Sequence, residues 1–175
     1  VHVNADIAVA AHRYVIWTGD AQFERDCALP ILVETARLWL SLGHTGYDGR
    51  FHIDGVTGPD EYSAIADDNI YTNLMVQQNL RAAADAAERW DGDAAGMNVS
   101  AAEIASWKTA ADVVAVPYDE AKRVHQQDSG FTEHEIWDFE RSAREDRYPL
   151  LLHATYFDLY RKQVVTQADL ILAMP

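Results

Sequence analysis

The stretch that decides the fold is "IYTNLMVQQNLRAAADAAERW", residues 70–90, in which apolar side chains recur every three or four positions. At the pitch of an α-helix this spacing places the recurring side chains on one face. They are Val76, Leu80, Ala83, Ala87 and Trp90. The other alanines add high helix propensity, so the stretch predicts one long helix with a buried face.

The same periodicity predicts helices before this stretch. Residues 5–17 form a helical pattern that Gly19 would end, and a shorter helix covers 21–27. Pro30 fits the first turn of a further helix. The expected inward side chains are Ile7, Ala11, Tyr14 and Trp17 in the first helix and Leu32, Ala36, Trp39 and Leu40 in the helix that contains Pro30.

Two more helices are predicted after residue 90. Ser100 and Glu103 have the spacing of a reciprocal capping box at the start of one. A last helix begins near Thr166, which fits an N-cap with Asp169 in the box position. The expected inward face of the helix after Ser100 is Ile104, Trp107, Ala111 and Val114.

Long segments without helical period separate these helices. Residues 43–68 carry six of the breaking residues Gly and Pro, with one short strand at "RFHIDGV", and residues 116–148 mix acids with aromatics. Loops of this length are mostly functional or disordered, and their apolar content argues against disorder. The fold class predicted is all-α, with helical pairs joined by structured loops in a toroid or solenoid.

The amino-acid composition limits the classes of molecule that the protein is expected to bind. The chain has 175 residues, a formal net charge of −14 and one cysteine, Cys27. Nucleic acid and anionic membrane are disfavoured, since both require clustered positive charge. Without a membrane-length apolar run, a leader or a disulfide, the sequence predicts a cytoplasmic protein. The abrupt ends predict a piece of a larger domain, whose exposed apolar surface would favour a homo-oligomer.

The turn "GVTGPDEY", residues 55–62, holds adjacent acids at Asp60 and Glu61. Glycine and proline let such a turn aim one side chain into a cavity while the other braces the backbone. A carboxyl group in a partly apolar pocket keeps its proton near neutral pH and can donate it to a leaving glycosidic oxygen. An ordinary solvated turn is the alternative, and spacing alone does not separate the two.

Two stretches of the sequence contain residue types that can bind metal ions. His52 and Asp54 lie near Asp60 in the sequence, but their spacing matches no familiar set of metal ligands. "HEIWDFE", residues 134–140, lacks the second histidine of a zinc-protease helix. The sequence therefore predicts no metal.

"DGVTGPDEYSAIADDNIYTNLM", residues 54–75, closely resembles the signature of the disaccharide phosphorylases of glycoside hydrolase family 65. Supporting similarity lies in "HVNADIAVA" followed by "TGD", in "GFTEHEIWDFE" and in "YRKQVVTQADLILAM". The resemblance runs along residues 1–175 and implies part of an (α/α)6 catalytic barrel. It assigns Glu61 as the general acid.

The resemblance implies inverting cleavage of an α-glucosidic disaccharide, with inorganic phosphate as co-substrate and no other cofactor. An inverting hydrolase needs a second carboxylate about 6.5–9.5 Å from the acid, whereas phosphate is itself a nucleophile. Family members are several times longer, so this chain is expected to carry an incomplete active site. A hydrolase of the same family, a non-catalytic helical binding module and an inactive fragment remain alternatives.

Further site residues follow from the same resemblance. Asp60, Tyr62, Asn69 and Asn73 belong to the signature, and they are expected to brace Glu61 beside the substrate. Thr166 and Gln167 occupy the position of a Lys-Gln pair that contacts sugar hydroxyls in the family. Gln167 keeps an amide that can donate and accept, whereas Thr166 lacks the reach and charge of lysine.

The tryptophans divide into two groups. Trp39, Trp90 and Trp107 lie on apolar helical stripes and are expected in the core. Trp137 lies in the acidic loop region, where its ring could stack on a sugar.

Overall fold

The computed structural model describes residues 1–174, which are mostly helical. The main helices are α1 (Val3–Thr18), α3 (Leu29–Leu42), α4 (Ile70–Arg89) and α6 (Ala101–Asp112). The shorter ones are α2 (Ala21–Phe23), α5 (Asp91–Gly96), α7 (Phe139–Arg144), α8 (Tyr156–Leu159) and α9 (Asp169–Ala173). A π-helical turn, Glu24–Ala28, joins α2 to α3, and 3-10 turns cover Phe131–Glu133 and Leu150–Leu152.

Three two-residue strand pairs stiffen the loops. The antiparallel pairs are β1 (His44–Thr45) with β2 (Phe51–His52), and β3 (Tyr118–Asp119) with β4 (Val124–His125). The parallel pair is β5 (Glu135–Ile136) with β6 (Lys162–Gln163), which ties the acidic loop to the segment before α9. The long loops are therefore structured, as the sequence predicts.

Helix α4 forms the centre of the packing and contacts α1, α3, α6 and α9. Its predicted face is confirmed, since Val76, Leu80, Ala83 and Ala87 are completely buried, while Trp90 at the helix end is half-buried. Small side chains on its other faces are buried too, because alanine lets neighbouring helices approach closely. One helix thus supports several neighbours, as the inner helices of a toroid require.

The predicted core tryptophans of α3 and α6 are confirmed. Trp39 and Trp107 are fully enclosed, and the indole N–H of Trp39 donates to Asn79 Oδ1 on α4 over 3.1 Å. A buried indole requires such an acceptor, so this bond fixes α3 against α4. Arg37 on α3 and Glu103 on α6 add a two-bond ion pair at 2.7 and 3.2 Å.

The predicted inward face of α1 is confirmed at Ala11 and wrong at the other three positions. Ile7, Tyr14 and Trp17 are exposed in the described structure, and α1 packs through Ala5, Ala8 and Val9 together with Ala11. The helix has apolar residues on both sides, and periodicity does not say which side meets α3 and α4. The smaller side chains do so, because they allow the closer approach of helix axes.

The two predicted caps differ in outcome. Ser100 is the N-cap of α6, and its Oγ accepts the Glu103 N–H at 3.1 Å. Thr166 does not cap α9, which begins at Asp169 with Ala168 as its N-cap. The expected capping role of Thr166 is therefore wrong, because its hydroxyl is used in a tertiary contact described below. Among residues 1–174, no helix combines the length and apolarity that a membrane crossing needs.

Candidate active site

The acid turn, defined as residues 58–63, is built around a fully buried Asp60. Its Oδ1 accepts from the backbone N–H of Thr166 at 3.1 Å, from the Thr166 hydroxyl at 2.7 Å and from the Tyr62 N–H at 3.3 Å. Its Oδ2 accepts from Gln127 Nε2 at 3.3 Å. Such donors compensate a carboxylate for its lost water. Asp60 is thereby the bracing member of the acid pair.

A second buried carboxylate, Asp169, fixes the same turn from the start of α9. Its Oδ1 accepts from the Asp60 N–H at 3.1 Å, and its Oδ2 accepts from Asn69 Nδ2 at 2.7 Å. Asn69 also caps α4 by accepting from the Thr72 N–H and hydroxyl at 3.0 and 2.9 Å. Burial raises the pKa of Asp169, and the hydrogen bonds from Asn69 and from the Asp60 amide oppose that rise. The acid turn, α4 and α9 are thus one hydrogen-bonded unit.

Gly58 lies where these groups converge. A Cβ at this position would come within 2.5 Å of both Asn69 Oδ1 and Asp169 Oδ2. The turn therefore requires glycine for close approach to the buried pair.

Asn73 and Asp68 form an adjoining network under the loop. Asn73 Nδ2 donates to Asp68 Oδ1 at 3.0 Å and to the Ala115 carbonyl at 2.7 Å. The other Asp68 oxygen lies 2.7 Å from His52 Nδ1, and His52 Nε2 lies 3.0 Å from Asp48. These contacts raise the pKa of His52, chiefly through Asp48. No group of three or more acidic, histidine or cysteine side chains among residues 1–174 is arranged to hold a metal ion.

Glu61, next to the buried Asp60, has an exposed side chain. It is near enough to Tyr160 to contribute, after burial and Tyr156, to raising that tyrosine's pKa. Tyr160 lines a cleft of about 350 Å³ together with Ser63, Asp128, His134 and Arg161. Glu61 is thus the exposed carboxylate of the turn, and the cleft is lined by its electrostatic neighbour Tyr160 rather than by Glu61 itself.

Asp128 is a buried acid in that cleft which the sequence analysis missed. It is 5% exposed, and burial raises its pKa to about 6, with the Ser63 hydrogen bond opposing the rise and Asp169, Asp60 and Asp67 adding to it. Gln127, the residue before it, also holds the turn and was missed as well. The available signal was their position two and three residues before Gly130, where a stretch resembling the family begins.

We predict that Asp128→Asn stabilises the protein at pH 7. The unfolded state ionises Asp128 from about pH 3.8, whereas the folded state keeps the proton until about pH 6. The carboxyl therefore lowers the free energy of unfolding as pH rises through this window, by about 3 kcal/mol at 1.36 kcal/mol per pKa unit. In the variant, the free energy of unfolding measured between pH 4 and 7 should no longer show this decrease.

The matched control is Asp112→Asn, which changes an exposed carboxylate at the end of α6. It should retain the wild-type dependence of stability on pH between 4 and 6. A wild-type protein whose stability rises steadily with pH through this window, unchanged in the Asp128 variant, would contradict the prediction.

Thr166 and Gln167 lie beside the turn in the segment before α9. The Thr166 hydroxyl and N–H both contact Asp60, so this residue is part of the brace. The Gln167 carbonyl accepts from Gln127 Nε2 at 3.1 Å, and its side chain is exposed. The structure therefore brings both predicted residues to the acid turn, with the Gln167 amide facing solvent.

The remaining predicted site residues are more enclosed. Asn69 and Asn73 are fully buried, and Tyr62 packs with Leu150, Leu159 and Val164 in a second small core. Trp137 packs partly against the same core and donates its indole N–H to Ser142 Oγ at 2.9 Å. It also lines a separate cleft of about 390 Å³ with Arg147 and Lys162. Sugar contact by any of these residues stays a prediction.

Comparisons with known proteins agree with the fold. The chain is 55% identical over 173 residues to an uncharacterized glycosyl hydrolase of Mycobacterium tuberculosis, covering 99% of this chain and 22% of that protein. It is 41% identical over 180 residues to the α,α-trehalose phosphorylase of Geobacillus stearothermophilus, covering 98% of this chain and 23% of that protein.

A solved structure from the human microbiome, provisionally named a kojibiose phosphorylase, superimposes with a TM-score of 0.85 at 24% identity. The match covers 97% of this chain and 26% of that one. The fold is accordingly part of an (α/α)6 barrel, as predicted, and the chain spans about a quarter of the length of the proteins it matches.

All residues from 1 to 175 match the glycosyl hydrolase family 65 central catalytic domain. The resemblance noted in the acid turn is thereby confirmed over the whole sequence, and the chain belongs to glycosyl hydrolase family 65.

Proposed function

We propose that the protein carrying this chain cleaves an α-linked glucosyl disaccharide by phosphorolysis with inversion, and that Glu61 is its general acid. The observation that carries this proposal is the contrast within the acid pair. Asp60 is fully buried and held by four donor contacts, whereas the side chain of the adjacent Glu61 is exposed. The Asp60 carboxyl is fixed by its contacts and braces the turn, and the Glu61 carboxyl is available to react.

In the proposed step, Glu61 supplies a proton to the leaving sugar and phosphate supplies the nucleophile. Glu61 transfers a proton to the glycosidic oxygen as the bond from that oxygen to the anomeric carbon breaks, and the second sugar leaves as an alcohol. A phosphate oxygen attacks the anomeric carbon from the opposite face and forms β-glucose 1-phosphate. Solvent then returns a proton to Glu61. Phosphate acts as co-substrate, and the step requires no other cofactor.

The similarity to an α,α-trehalose phosphorylase supports phosphate as the acceptor and an α-glucoside as the substrate. The exposed Gln167 amide beside the turn can donate to and accept from sugar hydroxyls, which suits a sugar-binding role. Trehalose and kojibiose are the substrates to test first. In this proposal the partners are small molecules, and the protein acts in the cytoplasm, where phosphate is available.

Hydrolysis within the same family is the second candidate. It is favoured by the 55% identity to a protein described as a glycosyl hydrolase. The acid step would be unchanged, but water activated by a second carboxylate would replace phosphate.

Phosphate dependence separates the two candidates. The full-length protein is incubated with trehalose, kojibiose or maltose, with phosphate or with sulfate at equal ionic strength, and the products are followed by NMR. Phosphorolysis predicts β-glucose 1-phosphate only when phosphate is present. Equal release of free glucose in sulfate would support the hydrolase, and formation of the α-phosphate would contradict inversion.

A further inference from the structure

We propose that Thr166 is a positioning residue for the general acid, acting through Asp60, and that its hydroxyl does not bind the sugar. The inference rests on the proposed function of Glu61. It replaces both sequence-based expectations for this residue, the helix cap and the sugar contact.

The contacts of Asp60 show what Thr166 contributes. Thr166 places two donors on one oxygen, Oδ1, and its hydroxyl gives the shortest of the four contacts at 2.7 Å. All four donors are amide or hydroxyl groups, and none carries a positive charge. A fully buried carboxylate with neutral donors depends strongly on each of them. The Thr166 hydroxyl is therefore a main determinant of where Asp60 lies.

The position of Asp60 is transmitted to Glu61 by the chain itself. The two residues share a peptide bond, and the Tyr62 N–H on the other side of Glu61 donates back to Asp60 Oδ1. Glu61 is consequently held between two anchored neighbours while its own side chain is exposed. A small shift of Asp60 would move the acid relative to the glycosidic oxygen, and proton transfer is sensitive to such shifts.

Hydrogen-bond capacity argues against donation from the Thr166 hydroxyl to a sugar. A threonine hydroxyl has one proton, and in this structure that proton goes to Asp60. The neighbouring Gln167 has an exposed side-chain amide with both donor and acceptor capacity. Both residues are exposed, but the Thr166 hydroxyl proton is used to hold Asp60, whereas the Gln167 side-chain amide is available to a sugar.

The test compares Thr166→Val, which keeps the shape and removes the hydroxyl, with Thr166→Ser, which keeps the hydroxyl. Both are measured in the full-length protein on the disaccharide and on α-glucosyl fluoride, whose leaving group departs without protonation. Thr166→Val should lower kcat on the disaccharide by roughly tenfold to a hundredfold, with little change in KM. It should have little effect on the fluoride, and Thr166→Ser should restore most of the loss.

The control is Thr109→Val, at an exposed threonine on α6 whose hydroxyl donates to the Ala105 carbonyl of the same helix. It should leave both substrates unaffected. If Thr166→Val does not fold, Thr166→Ala, which also removes the hydroxyl, is measured in its place.

Three results would overturn the inference while leaving the proposed function intact. A raised KM with unchanged kcat would make Thr166 a sugar contact, an equal loss on both substrates would make it merely structural, and wild-type behaviour would give it no role. A wild-type protein without turnover of any α-glucoside would instead overturn the proposed function, and the inference with it.

Discussion

Glu61→Gln in the full-length protein is expected to reduce kcat on the disaccharide by about 10²- to 10⁴-fold, the usual contribution of a positioned general acid. Glutamine keeps the size and the hydrogen-bonding ability of the side chain but has no transferable carboxyl proton. The exposed position of Glu61 means that the substitution breaks none of the contacts that hold the acid turn. Activity on α-glucosyl fluoride should fall much less, because that leaving group needs no proton. Initial rates on both substrates test this.

Glu88→Gln is the matched control, since it changes an exposed carboxylate on the outer surface of α4 that pairs with Lys108. It should leave both rates unchanged. Turnover of the disaccharide that survives Glu61→Gln would remove Glu61 from the mechanism, whereas a wild-type protein without turnover would favour the non-catalytic binding module. An equal loss on both substrates would indicate that Glu61 has a role other than proton donation.

Gly58→Ala is expected to have the second largest effect. The added methyl would lie 2.5 Å from both Asn69 Oδ1 and Asp169 Oδ2, and neither oxygen can move without breaking a buried hydrogen bond. Overpacking of this kind destabilises by about 1–3 kcal/mol. Displacement of the turn should also lower kcat by up to about 10²-fold. Thermal unfolding and initial rates measure the two effects separately.

Gly92→Ala is the control for the glycine substitution. Gly92 lies in α5, and a Cβ there would have no atom within 4 Å outside its own helix backbone. Alanine should be neutral or stabilising by about 0.5–1 kcal/mol, because glycine is unfavourable inside a helix. A Gly58→Ala protein that melts and turns over like the wild type would show that the buried Asn69–Asp169 pair tolerates displacement.

Much of the fold was predictable because the apolar residues of helix α4 recur with the period of an α-helix. Val76, Leu80, Ala83 and Ala87 are inward as expected, and Ser100 begins α6 where its capping pattern indicated. The acid turn was recognisable because it lies within a long, specific signature, residues 54–75, that holds glycines, a proline and the adjacent acids. These are local features, and local sequence contains the information that specifies them.

The partners of the turn were not predictable in the same way. Gln127, Asp128 and Thr166 are far from Asp60 along the chain, and nothing in their own neighbourhoods shows that they are close to it in space. Thr166 fitted a helix cap equally well by local rules. Its hydroxyl instead donates to the buried carboxylate of Asp60. A buried carboxylate without donors costs more free energy than an exposed helix end without a cap.

The sequence by itself determined the helical class, the central helix and the identity of the acid turn, because period and turn chemistry act over a few residues. Only the tertiary structure decided which face of α1 is buried, which acid of the pair is enclosed and which distant groups hold it. Burial and hydrogen-bond satisfaction depend on segments about 100 residues apart, as in the contact between Asp60 and Thr166. Such choices arise only when the chain is packed.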